Sequence, residues 1–457
     1  NYKKAKEIKP GYIDAIINMG GAYEKLGKKV KAIEFYETVN NNPNFKKNII
    51  NPSYKYESDY VNNFLPPDIV VLNFFGRSGT GLLHSLIDGH PEVSTSPSIY
   101  LSQFFNRTTW NEDIISAGWD HVVNRFMQTY EVLFDASTNT PFQTPAGEII
   151  NNLGEAEGLT TLGEGRDEVL TVDKTLFREE LTRLMSKCES LNAYEFFKLV
   201  HAAYDFALED THKKKLIFYH IHNPDTFTQL NFSSLAPNMR WLLMVREPVQ
   251  NCESFIKNCY LKNDYTRLAV NVGHLLSDID NPIYSEQDSI GVRLEDLKRY
   301  PRKTIPALCK WLGIQETESL YEMTAQGKKW WGDPSSPDYT KDGMDPFGKT
   351  SINRKVGSIF SENDQFILRT LFYPFSASFG YVEENQKGFE KDLKSIRPML
   401  EQMFDFERNL MESKQLEADQ FMKSGPYLYL RSVLIERWDM LNEYKTYPNM
   451  LKMLKIE

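Results

Sequence analysis

Gly76-Arg77-Ser78-Gly79-Thr80-Gly81 is a stretch of this 457-residue chain whose residue types and spacing suit the holding of an anion. A glycine-rich turn lets several backbone N–H groups converge at a helix start, where unpaired donors and the helix dipole favour clustered anionic oxygens. Ser78 and Thr80 add hydroxyl donors and Arg77 adds positive charge. The order G-x-x-x-x-G-K-[ST], which cradles nucleotide triphosphates, is not met, because no Lys-Ser/Thr follows Gly81. The cation precedes the Ser-Gly-Thr instead.

Two further groups carry chemistry. Arg246 and Ser254 stand eight residues apart in VREPVQNCES, a guanidinium fork for phosphate oxygens with a hydroxyl donor beyond it. Taken alone, an arginine closing a strand serves equally well in a structural ion pair. Tyr219-His220-Ile221-His222-Asn223-Pro224 puts two imidazoles on one face of a strand. With an ordinary pKa of about 6.5, either can take a proton from a hydroxyl near neutral pH. His84 and His90, on or after the loop helix, read as structural.

The elements that position these groups are legible in the apolar pattern. Asp68 to Phe75, Lys215 to His222, Arg240 to Arg246 and Asp288 to Leu294 are apolar runs of strand length with polar C-terminal ends, the pattern of buried parallel strands carrying ligands on the sheet's carboxyl edge. Leu82 to Asp88, Ala193 to Leu208 and Pro301 to Gly313 have helical spacing. Strands alternating with helices predict an α/β fold, a P-loop-type parallel sheet flanked by helices.

The RSGT order followed by a helix and His90-Pro91 resembles the 5′-phosphosulfate loop of sulfotransferases, the protein-tyrosine sulfotransferase type in particular. The resemblance implies 3′-phosphoadenosine 5′-phosphosulfate (PAPS) as co-substrate, an acceptor bearing a hydroxyl group, and no metal. It assigns Gly76 to Gly81 to the 5′-phosphosulfate and Arg246 and Ser254 to the 3′-phosphate. The loop from Gly348 to Gly357 resembles the basic segment that closes over the 3′-phosphate, with Arg354, Lys355 and Gly357 at the matched positions; its bland alternative is a solvated basic loop. Val292 to Leu297 resembles a V-R-Y-E-D-L scaffold segment.

Anchored on its proline, the His220-Ile221-His222-Asn223-Pro224 segment resembles the K-T-H-L-P of cytosolic sulfotransferases. That alignment puts His222 on the catalytic base and His220 on an assisting lysine. Anchored on the K-T-P of the tyrosine type, His222 replaces the lysine. Arg77 then neutralises leaving-group charge. The chain departs from the tyrosine type at Pro97-Ser98, where the family carries acidic residues. Leu82 stands where cytosolic members place a tryptophan. Two alternatives stay open: a P-loop kinase, against which the missing lysine after Gly81 argues, and a repeat-based binding protein with an inactive transferase domain, which the absent carboxylate at Pro97-Ser98 motivates.

Ala15 to Pro43 resembles a tetratricopeptide repeat, and Tyr2 to Pro10 the last half of another. Such repeats need about three copies to bury their faces, so a further N-terminal segment is expected. They imply a docking or self-association surface. The expected organisation is a truncated repeat segment over 1–50, a linker over 51–67, the sulfotransferase domain over 68–385 with a helical insertion about 94–208, and a helical extension over 386–457.

Composition bounds the rest. An apolar fraction of 41% with 25% charged residues is that of a soluble globular protein. A net charge of -9 argues against non-specific nucleic-acid binding, and no apolar run approaches a membrane span. Four cysteines without a C-x-x-C pair read as reduced thiols. With no visible signal peptide, they point to the cytoplasm.

Overall fold

A computed structural model describes residues 13–41, 66, 68–97, 101, 103–106, 108–139, 141–143, 149–188, 190–221, 224–334 and 336–457. Six parallel strands make the central sheet: β1 (Asp68–Phe74), β2 (Val93–Thr95), β3 (Leu216–His220), β4 (Arg240–Val245), β5 (Ser289–Arg293) and β6 (Lys452–Met453). Their order is β6-β5-β4-β1-β3-β2. The near-continuous apolar runs are explained by burial on both faces. In β1, Ile69 and Val71 enter one core while Val70 and Leu72 enter the other. In β4, Trp241, Leu243 and Val245 face the first core, and Leu242 and Met244 the second.

Helices cover both faces. They include α1 (Ile13–Lys25), α2 (Lys29–Asn40), α3 (Thr80–Ile87), α4 (Ala193–Ala207), α5 (Thr226–Leu235), α6 (Pro248–Leu261), α7 (Tyr265–Asp278), α8 (Pro301–Leu312) and α9 (Gly425–Tyr444). No helix of the described residues is long and apolar enough to cross a membrane.

Helices α1 and α2 form a hairpin whose crossing requires glycine. A Cβ at Gly20 would lie 2.4 Å from the Tyr36 ring. The hairpin is docked on the rest of the chain: Lys29 Nζ meets Asp278 Oδ1 at 2.6 Å, and the Thr226 hydroxyl donates to Glu24 at 2.5 Å. The half-repeat at 2–10 and the linker, apart from Pro66, lie outside the described residues.

The C-terminal region differs from the sequence reading. The segment 386–457 is not helical throughout, because its end returns to the sheet, pairing Lys452 with Ile290 and Met453 with Gly291. Gly291 makes room for this return, since a Cβ there would come within 2.6 Å of Phe379 and 2.8 Å of Leu451. Two paired residues carry no periodic signal. In the insertion between β2 and β3, Trp110, Phe126, Tyr130 and Phe134 are core, packed with Phe104, Phe177 and Phe196. The insertion reaches the site through Pro97 and through the turn-rich stretch 153–159.

Candidate active site

The chain leaves β1 toward β2 on one side and leaves β4 toward β5 on the other, so the strand order reverses between β1 and β4. Ligands of open α/β sheets bind in the crevice beyond the carboxyl ends at such a reversal. Phe74 pairs with Met244, and the loop after β1 and Arg246 after β4 therefore emerge side by side.

Within that loop Gly76 has φ 62° and Gly79 φ 89°, left-handed values that glycine adopts without strain. Gly79 caps α3, and a Cβ at Gly76 would lie 2.9 Å from Asn251 Oδ1. Asn251 Nδ2 in turn donates to the Phe75 carbonyl, pinning the loop to α6. Ser78 Oγ accepts from the Phe75 N–H at 3.3 Å. A Cβ at Gly81 would meet nothing within 4 Å, so the first turn of α3 opens onto free space.

Arg246 is 4% exposed. Its Nε donates to Gln250 Oε1 at 2.9 Å, Nη1 to the Arg77 carbonyl at 3.4 Å, and Nη2 to the Ser351 carbonyl. Burial pulls this guanidinium below its ordinary pKa; Glu295 opposes that, and the charge of Arg354 adds to it.

Three anchors hold the basic loop against this strand end. Lys298 Nζ meets the buried Asp338 carboxylate at 2.6 Å and donates to the Gly348 carbonyl at 2.9 Å, while Asp338 accepts from the Thr350 N–H at 2.8 Å. Gln250 Nε2 donates to the Arg354 carbonyl. Glu253 accepts from the backbone N–H groups of Gly357, Ser358, Ile359 and Phe360 at 3.0 to 3.3 Å, and from the Ser358 hydroxyl at 2.7 Å. Burial raises its pKa, but the Ser358 hydroxyl and the backbone donors together hold it below the usual carboxylate range.

These parts enclose one cavity of about 760 Å³. Every residue from Gly76 to Gly81 lines it, together with Arg246, Ser254, Arg354 and His220. Lys257 and Asn258 extend the same side. The rest of the lining includes His84 and Ser85 of α3 and Asp88 just after it, Leu153, Ala156, Glu157 and Leu159, and Thr324, Trp330, Asp333 and Met344 of the 324–344 region. Asp88 organises that lining, accepting from the Thr95 hydroxyl at 2.8 Å, the Thr324 hydroxyl at 3.0 Å and the Gly327 N–H at 2.9 Å.

No family model matches the chain, and no curated relative matches it. Among solved structures, a sulfotransferase domain from the Synechococcus PCC 7002 olefin synthase is similar at 17% identity and a TM-score of 0.35, over 71% of this chain and 97% of that one. A sulfotransferase domain from the curacin biosynthetic pathway is similar at 15% and 0.27, over 77% and 98%. A sulfotransferase from Mycobacterium tuberculosis H37Rv follows at 10% and 0.25, over 70% and 90%. At these values the likeness carries no assignment, and the chemistry rests on the cavity's own residues.

Of the residues singled out by sequence, His222 lies outside the described residues. Lys355 is exposed, and Gly357, at φ 119°, is held by Glu253; neither lines the cavity. His90 is structural, with Nε2 at 2.8 Å from the Gln315 carbonyl oxygen and Nδ1 accepting from the Glu92 N–H. His84 differs from that reading. It lines the cavity, its ring centroid lies 5.6 Å from that of His220, and its Nε2 has no hydrogen-bond partner among the described residues. Burial lowers its pKa, opposed by Asp88 and a hydrogen bond to the Ser96 backbone.

Sequence reasoning missed Gln250, Asn251, Glu253, Lys298 and Asp338. Gln250 was visible as the i+4 partner of Arg246 on a helix start. The Lys298 and Asp338 pairing has no local signal. Among the described residues no group of three or more His, Cys, Asp or Glu side chains could hold a metal ion.

Proposed function

We propose that this chain is a sulfotransferase that moves the sulfuryl group of PAPS to an acceptor hydroxyl. The observation that carries the reading is the convergence of two anion sites, Gly76–Gly81 and Arg246 with Ser254 and Arg354, on one cavity. The residues present fit a nucleotide phosphorylated at both ends. Loop amides at the open first turn of α3 suit one phosphate, and the cations of α6 and the basic loop suit the other.

The donor supplies an activated sulfur. During transfer the acceptor oxygen forms a bond to sulfur, the bond from sulfur to the 5′-phosphate oxygen breaks, and adenosine 3′,5′-bisphosphate leaves. The chain's part is positioning and charge stabilisation, as in phosphoryl transfer. Arg77 and the loop amides stabilise charge on the departing phosphate. His222, two residues after β3 in the sequence, takes the acceptor proton, and His220 lines the cavity.

Calorimetry with adenosine 3′,5′-bisphosphate and with ATP tests the reading, followed by transfer of labelled sulfuryl to a panel of hydroxyl acceptors. Preference for ATP would overturn it in favour of a kinase. Nucleotide binding with no transfer to any acceptor would favour an inactive transferase domain.

A further inference from the structure

His84 lines the cavity yet has no part in the transfer step. It stands three residues after Gly81 on α3, and helical side chains lean toward the helix start, over the preceding turn. Thr80 and Gly81 of that turn line the same cavity, and Gly81 brings no side chain across it. The ring centroid of His84 lies 5.6 Å from that of His220, which ends β3, and 6.2 Å from that of Phe218, two residues deeper in the strand. The imidazole therefore sits near the carboxyl edge of the sheet, beside the first turn of α3.

Its two nitrogens are unequal. The ring bonds the Ser96 backbone in a contact that raises its pKa, as an N–H given to a carbonyl does. Nε2 has no partner among the described residues, which leaves that N–H to Nδ1. The residue is 6% exposed, and burial lowers its pKa against the pull of Asp88. At neutral pH the ring is thus uncharged, with a bare lone pair on Nε2. A buried acceptor left without a donor costs about 1–3 kcal/mol. Phosphate and sulfuryl oxygens have no proton to give and cannot relieve that cost. A bound molecule bringing an O–H can.

We propose that His84 is a specificity residue of the acceptor subsite, and that the acceptor is a diol: one hydroxyl goes to sulfur and the second donates to His84 Nε2. The inference rests on the sulfotransferase reading and adds the acceptor class to it. The reacting hydroxyl has a single proton, which passes to His222, so the bond to His84 must come from another oxygen. A site built around such a bond rejects an analogue without the donor, because the ring nitrogen is then buried unpaired.

Catechol and 2-methoxyphenol test this, since they share ring and hydroxyl and differ in whether the second oxygen carries a proton. Each is titrated calorimetrically into the full chain at neutral pH, with and without adenosine 3′,5′-bisphosphate. Catechol is expected to bind at least tenfold tighter. His84→Phe, which keeps a flat ring and removes the lone pair, should narrow that gap at least threefold, whereas a merely steric effect of the methyl group would persist. The parent chain labelled with 15N-histidine gives a readout independent of any variant: catechol, and not 2-methoxyphenol, should shift the Nε2 resonance of His84. Equal binding of the two phenols, no binding of catechol, a gap unmoved by His84→Phe, or an Nε2 resonance that catechol leaves in place would overturn the proposal. Failure of the nucleotide to bind, or of sulfuryl transfer to catechol, with the catechol preference and its dependence on His84 intact, would overturn the sulfotransferase reading and leave the subsite standing.

Discussion

Arg246 Nη1 donates to the Arg77 carbonyl oxygen at 3.4 Å, so the guanidinium at the end of β4 is tied to the loop that follows β1. The same group reaches Gln250 and the Ser351 carbonyl, and one side chain thereby joins three segments of the cavity. Arg246→Ala is expected to weaken adenosine 3′,5′-bisphosphate binding at least tenfold, since a charge-assisted bond contributes roughly 1.5–3 kcal/mol. Arg246→Lys should not rescue it, because an ammonium cannot reproduce the planar fork. Titration calorimetry of both variants checks this.

The imidazoles can be separated by kinetics. His222→Ala should abolish turnover with nucleotide affinity unchanged. His84→Asn should leave measurable turnover and shift the acidic limb of the pH–rate profile, because His84 faces the same cavity from α3. If His222→Ala remains active while His84→Asn is dead, the base is His84.

Glu253 acts through the loop it holds. Glu253→Gln keeps the shape but replaces a carboxylate that accepts from four backbone N–H groups. An amide offers one acceptor oxygen in place of two. Nucleotide affinity should fall through Arg354, with the acceptor KM little changed, and the segment 354–360 should exchange amide hydrogens faster than in the parent chain.

Lys298→Met leaves the Asp338 carboxylate buried without its cation. A loss of about 3–5 kcal/mol of stability is expected, the range for breaking a buried pair on one side. The double variant Lys298→Met, Asp338→Leu should recover part of it. Urea unfolding of the three chains measures the difference, and a single variant as stable as the parent would count against the bracing role.

His201 sets a pH window. It is buried at 1% exposure, Nδ1 lies 3.0 Å from the Ser94 hydroxyl, and burial pushes its pKa down to about 3. The unfolded chain takes up a proton near the ordinary value of about 6.5, which the folded chain refuses until about 3. Its contribution to stability is therefore full above about pH 6.5 and falls on acidification, by up to roughly 1.4 kcal/mol per pH unit. His201→Phe should flatten the stability curve between about pH 6.5 and 5, above the range where most carboxylates titrate. An unchanged slope in that window would refute this.

Local pattern accounts for much of what was legible in the sequence. The runs read as strands after Asp68, Lys215, Arg240 and Asp288 appear as β1, β3, β4 and β5 within one or two residues, since double-sided burial demands an unbroken apolar run. The Gly76–Gly81 turn was legible because a positive φ and an open helix start select glycine. Glu253 was not, although it stands next to Ser254. A carboxylate inside a helix reads as a solvated face until a distant loop brings four amides to it.

By itself the sequence determined the α/β alternation, the glycine-rich turn and the candidate pairing of Arg246 with Ser254, because each depends on residues close together in the chain. Only the tertiary structure decided that the strand order reverses between β1 and β4, which brings Gly76 and Arg246 to one cavity. It also decided that 153–159 and Trp330 line that cavity, and that the chain's end pairs with β5. Those relations join residues tens to hundreds of positions apart, and packing between elements sets them, which no local spacing records.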